Sequence, residues 1–137
     1  MIDPTTKQLD PIKTTKKQLI MLVDDDPKDI EFVEKRLKVK NFGVRAFPDS
    51  RNAYDVLKNN CPPDGIRPDL LLCDSVNYKT TGIEFANEVK KLGYTMPIVL
   101  ITNDHELKLE ENSLFAGIIY KPFDPLGFKR RISKYLK

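Results

Sequence analysis

Long apolar runs are missing from this chain. No stretch approaches the roughly 20 apolar residues that crossing a bilayer requires, so a spanning helix is excluded and no membrane association is expected. Residues 1–17 contain lysines but neither an apolar h-region nor a small-residue cleavage site, which rules out a secretory signal. Cysteine is scarce. Cys61 and Cys73 form no CxxC pair and have no metal-ligand spacing, as suits two reduced thiols in a cytoplasmic protein. The body of the chain also lacks a basic excess, although the net charge is +3. Residues 1–17 hold four Lys against Asp3 and Asp10, and residues 129–137 hold five cations and no acid. The stretch 18–128 therefore carries −4. A basic last helix is ordinarily a solvated face favoured by the helix dipole, and direct DNA binding is not expected from it.

With 137 residues, 40% of them apolar, there is enough material for one domain with one core. Residues 1–17 are polar, contain two prolines and read as a disordered extension or an expression remnant, leaving 18–137 as the folded domain. The run Leu19-Ile20-Met21-Leu22-Val23 has the pattern of a strand buried on both faces. It stops at Asp24-Asp25-Asp26-Pro27, where Asp26 as N-cap and Pro27 at the first helical position open a helix bearing Ile30, Val33 and Leu37. Val44–Phe47 is a short strand, and Asp49 or Ser50 caps a helix through Ala53, Val56 and Leu57. Leu70–Cys73 is a second fully apolar strand ended by Asp74, and a polar loop leads to a helix with Ile83, Phe85, Ala86 and Val89. Pro97 introduces the strand Ile98–Ile101, ended by Thr102. A weakly amphipathic segment at 104–114 reads as the fourth helix, Ile118-Ile119-Tyr120 as the last strand, and Leu126–Leu136 as the closing helix.

Five strands alternating with five helical segments specify an α/β domain, a parallel sheet with helices on both faces. Such sheets bind ligands at the carboxyl ends of their strands. The residues there are Asp24, Asp25, Asp74, Thr102 and Lys121. Each alone has a plain explanation as a cap, a turn residue or an exposed lysine. Together, three carboxylates at one sheet edge repel and call for a cation, and an all-oxygen set suits Mg²⁺. A carboxylate is also a nucleophile toward phosphorus, and metal plus lysine neutralise the transferring phosphoryl oxygens.

On these segments the chain resembles the receiver domains of two-component response regulators. The matching stretches are Leu22-Val23-Asp24-Asp25-Asp26-Pro27, Pro68–Asp74 with Gly82 following, Pro97–Thr102, and Tyr120-Lys121-Pro122-Phe123. The resemblance implies a flavodoxin-like, doubly wound sheet of strand order 2-1-3-4-5. It makes Asp74 the phosphoacceptor, with Mg²⁺ held by Asp25 and Asp74, by Asp24 mainly through water, and by the backbone carbonyl of Val76. Thr102 and Lys121 would contact the phosphoryl group, and the Lys121–Pro122 bond would be cis. The implied donor is a sensor histidine kinase or a phosphotransfer protein. Catalysis would be confined to self-phosphorylation and autodephosphorylation, so no metabolic enzyme is implied.

Three positions depart from the family pattern. Tyr78 replaces a common proline, implying a looser loop, and Asn103 replaces Ala or Gly, narrowing access to Asp74. Ile118 replaces the aromatic switch residue that ordinarily moves with the threonine, implying a damped switch at Thr102 and Ile118. Tyr120 is aromatic but is taken, on strand parity, to lie at the other position. Output is expected through protein contact on the 104–137 surface, whether the chain stands alone or is cut from a larger protein. Two other readings remain at this point. One is a degenerate receiver that binds partners without phosphorylation. The other is a phosphatase of the haloacid-dehalogenase type, which would need Asp24 and Asp26 in its first motif and a late acidic pair where this chain has only Asp124.

Overall fold

β-branched and leucine-rich runs between turn residues become the strands, and in the computed structural model they are all parallel. The structure describes residues 18–38, 42–59, 67–74, 83–111 and 113–136. The extension at 1–17, Cys61, the Val76 carbonyl, Tyr78 and Gly82 lie outside the described residues. In chain order the elements are β1 (Leu19–Val23), α1 (Pro27–Lys38), β2 (Gly43–Phe47), α2 (Ser50–Asn59) and β3 (Leu70–Asp74). Then follow α3 (Ile83–Lys91), β4 (Ile98–Thr102), β5 (Gly117–Tyr120) and α4 (Pro125–Ser133). The sheet order is β2-β1-β3-β4-β5, so the flavodoxin-like order 2-1-3-4-5 holds. β3 is the middle strand, in register with β1 through Val23↔Cys73 and with β4 through Asp74↔Ile101.

Strand parity divides the core into two layers, because successive side chains point to opposite faces. Ile20, Leu22, Leu70, Leu72, Val99, Ile101 and Ile119 face α1 and α4, where Val33, Leu37, Phe128 and Ile132 meet them. Met21, Val23, Leu71, Cys73, Ile98 and Leu100 face α2 and α3, against Ala53, Leu57, Phe85, Ala86 and Val89. Both faces of the middle strands are covered, which is why their sequences are apolar without alternation. The helix starts follow the capping logic. The Lys28 N–H donates to Asp26 Oδ1, the Asn52 N–H to Asp49 Oδ1, and the Gly127 N–H to Asp124 Oδ2. Gly117 opens β5 because the Tyr135 hydroxyl lies 2.0 Å from where a Cβ would stand.

Three expectations are corrected. No helix forms among the described residues of 104–114. The Asp104 N–H is held by Thr102 Oγ1, and Asp104 Oδ1 holds the Glu106 N–H, a pair of local bonds that compete with helix initiation. Beyond that turn, Leu107 and Leu109 alternate at strand spacing and pack onto the α2/α3 layer, while the Leu107 carbonyl accepts the Tyr120 hydroxyl. The last helix ends at Ser133 rather than Leu136. Tyr120 is not across the strand from Ile118: residues two apart share a face, and Ile118 and the Tyr120 tether both lie on the α2/α3 side.

Candidate functional site

Among the described residues, four polar or charged side chains are buried: Asp24, Asp74, Thr102 and Lys121. All four lie at or just past the carboxyl ends of neighbouring strands. Burying charge is costly unless it is paired, so a fold that keeps its buried polarity at one edge has a use for it there. Asp24 follows β1, with its backbone N–H donating to the Phe47 carbonyl of β2. Its Oδ1 accepts the Asp26 N–H at 2.9 Å, which fixes the carboxylate at the mouth of α1. Asp74 ends β3, the middle strand. Thr102 ends β4, and its carbonyl accepts the Lys121 N–H at 2.7 Å, tying the two strand ends together. The peptide bond from Lys121 to Pro122 is cis.

The acid-to-base balance is uneven. Oxygens of Asp24, Asp25 and Asp74 lie within 4.8 Å of one another, Asp25 being the exposed member. The Lys121 ammonium reaches Asp24 Oδ2 at 3.1 Å, Asp74 Oδ2 at 3.6 Å and Asp29 Oδ2 at 2.6 Å. Three carboxylates thus meet one ammonium, and a fourth, Asp25, stands beside two of them. Two like charges 4 Å apart repel by about 4 kcal/mol at an effective dielectric near 20, so the cluster needs further positive charge. Burial raises the Asp24 carboxyl to about 6, against the bond from Asp26 N–H and with help from the adjacent Asp74. Burial alone would lower the Lys121 ammonium, but the Asp29 hydrogen bond and the Asp74 and Asp24 charges outweigh it and hold the group firmly protonated. The donor set is all oxygen, partly buried and open on the Asp25 side, which fits a hard divalent cation that keeps some of its water.

The structure therefore brings Asp24, Asp25, Asp74 and Lys121 together and puts Thr102 on the strand between Asp74 and Lys121. Asn103 is exposed, and Ile118 is half-buried against the α2/α3 layer. Sequence reasoning missed Asp29. An acid in the first turn of a helix is what the helix dipole favours, so nothing in the sequence marked it as more than that. The phosphatase alternative loses its late acid, because Asp124 is occupied in capping α4, and Asp26 is likewise a helix cap.

Comparison with known proteins bears on the family and the fold. A family model described as the response regulator receiver domain matches residues 20–133. The chain is 26% identical over 120 residues to the heme response regulator HssR of Staphylococcus saprophyticus, with 85% of this chain and 50% of that protein covered. It is also 26% identical over 129 residues to a 14.6 kDa protein from the sodA1 3′ region of Leptolyngbya boryana, covering 90% and 94% respectively. The chain thus spans half the length of the first relative and nearly all of the second. A receiver protein from Burkholderia phymatum superposes with a TM-score of 0.72 at 24% identity, over 88% of this chain and 95% of that one, and shows the same fold. No described helix is long and apolar enough to cross a membrane.

Proposed function

This chain belongs to the response regulator receiver family, and from that premise we propose that Asp74 accepts a phosphoryl group from a phosphohistidine. The observation that carries the reading is the buried polar quartet at adjoining strand ends, with Asp74 on the central strand. An Asp74 carboxylate oxygen attacks phosphorus and forms the acyl-phosphate bond. The donor's P–N bond breaks, and the imidazole leaves with the electron pair. Asp24, Asp25 and Asp74, with the Val76 carbonyl, would hold Mg²⁺, which when bound neutralises phosphoryl oxygens. Lys121 supplies a second, fixed positive charge from the β5 side, and the Thr102 hydroxyl stands at the end of the adjoining strand to meet a phosphoryl oxygen.

Residues 18–137 act in this reading as the receiver domain and 1–17 as an extension to it. The upstream partner is a sensor histidine kinase or phosphotransfer protein of the cytoplasm. The downstream partner is a protein that reads the 104–137 surface, where the strap after Thr102, β5 and α4 adjoin.

Incubation with acetyl phosphate and Mg²⁺, followed by intact mass, tests the reading. The chain should gain one phosphoryl mass and Asp74→Asn none. A wild-type chain that gains nothing would instead be a partner-binding module independent of phosphorylation. Sustained release of inorganic phosphate from small phosphomonoesters would favour the hydrolase.

A further inference from the structure

The Lys121 ammonium sits closest to a residue outside the cluster that marks the family. Its contact with Asp29 is 2.6 Å, an ångström shorter than its 3.6 Å approach to Asp74. The pairing is built into the fold rather than a chance meeting of surface chains. The Lys121 side chain is 6% exposed and that of Asp29 22%. The backbones carrying them are fixed to each other by an aromatic cluster, in which Phe32 of α1 stacks on Phe123 at 5.3 Å and meets Phe128 edge-on at 5.7 Å. Asp24 Oδ2 accepts a second hydrogen bond from the same ammonium at 3.1 Å. The ammonium is thus drawn to the α1 side, away from the carboxylate that ends β3.

We infer that Asp29 is a positioning residue that holds Lys121 back from the phosphoryl site and sets how readily that site fills. The inference rests on the phosphoacceptor reading of Asp74. A phosphoryl group on Asp74 presents new acceptor oxygens to the ammonium, and Asp29 competes with them for it. Occupancy of the site then requires Lys121 to loosen its hold on Asp29, which couples phosphorylation to the first turn of α1. The exposed Asp25 and Asp26 also lie near this turn. A plain charge effect from Asp29 must therefore be separated from an effect transmitted through Lys121.

Beryllofluoride with Mg²⁺, titrated against the full chain, makes that separation. Asp29→Asn should bind it about tenfold more tightly, the size expected when one charge-assisted hydrogen bond no longer competes. Asp29→Glu, which retains the carboxylate, should stay near wild type. In a Lys121→Ala background, Asp29→Asn should change the affinity little, as a coupled pair requires. In the free protein, the Lys121 side-chain ¹⁵N signal should move in Asp29→Asn, a readout that needs no phosphoryl mimic. A gain of the same size without the Lys121 ammonium would reduce Asp29 to a bystander charge and overturn the inference. So would an Asp29→Asn variant that folds normally and binds no more tightly. If the wild-type chain binds no beryllofluoride at all, the phosphoacceptor reading falls and this inference with it.

Discussion

Burial leaves the Asp24 carboxyl with a raised affinity for its proton, and this has a consequence for stability that can be measured. The group titrates near 3.8 in an unfolded chain and near 6 in the folded one. Below pH 4 both states hold the proton and Asp24 costs nothing. Between about pH 4 and 6 the folded state still holds a proton that the unfolded state has already lost, so stability falls across that interval and levels off above it. In metal-free buffer, the melting temperature of the wild type relative to Asp24→Asn should therefore drop between about pH 4 and pH 6. Saturating Mg²⁺ should suppress the drop. A wild type that gains on the variant over that range would show that Asp24 enters the fold already ionised. The strand-ending residues were legible in the sequence because an apolar run marks a buried strand and the first polar residue after it marks the edge. Asp29 was not, because its ion pair joins α1 to the residue after β5, 92 positions away, and no local pattern encodes such a partner.

The segment after β4 is the element where local pattern and structure part. Its leucines suggested a helix, but Thr102 and Asp104 commit their side chains to the backbone of the first turn, and Leu107 spends its carbonyl on Tyr120. The same contacts suggest how a change at the site would travel. Thr102 Oγ1 holds the Asp104 N–H at 2.9 Å, so a hydroxyl drawn toward a phosphoryl group pulls on the strap directly. Ile118 is stiff at its first torsion and has no ring to swing. Tyr120, on the same face, is fastened to the strap at its hydroxyl. Addition of beryllofluoride should therefore move the amide signals of 102–109 and Tyr120 strongly and that of Ile118 weakly. Tyr120→Phe should leave binding intact and shrink the response at Leu107. An equal response along the whole of β5 and α4 would show that the strand shifts as a body. The strand-parity rule, applied correctly to Ile118 and Tyr120, predicts their shared face. The hydroxyl tether depends on the strap's path and could not be read from the sequence.

At the scale of the whole molecule, the two apolar layers stabilise the sheet while the carboxylate edge opposes its own assembly. Mg²⁺ should raise the melting temperature, with a gain of about 1.4 kcal/mol at tenfold excess over Kd from mass action alone. Asp25→Asn should lose that gain while melting no lower than wild type without metal. An unchanged Mg²⁺ response in that variant would remove Asp25 from the metal site. The middle strand has a further consequence for this architecture. Cys73 stands one residue before the proposed phosphoacceptor, wholly enclosed, and burial with the Asp74 and Asp24 charges pushes its thiol up to about 12. The thiolate is the reactive form, so in the folded state this sulfur is shielded from alkylating reagents and oxidants. With Cys61→Ser removing the other thiol, the labelling rate at Cys73 becomes a clock for the opening of β3. It should run at the pace of global unfolding, slow further with Mg²⁺, and quicken in any variant that frays the sheet between β1 and β4. The centre of the domain would then report its own integrity through a single atom, without a probe attached to the surface.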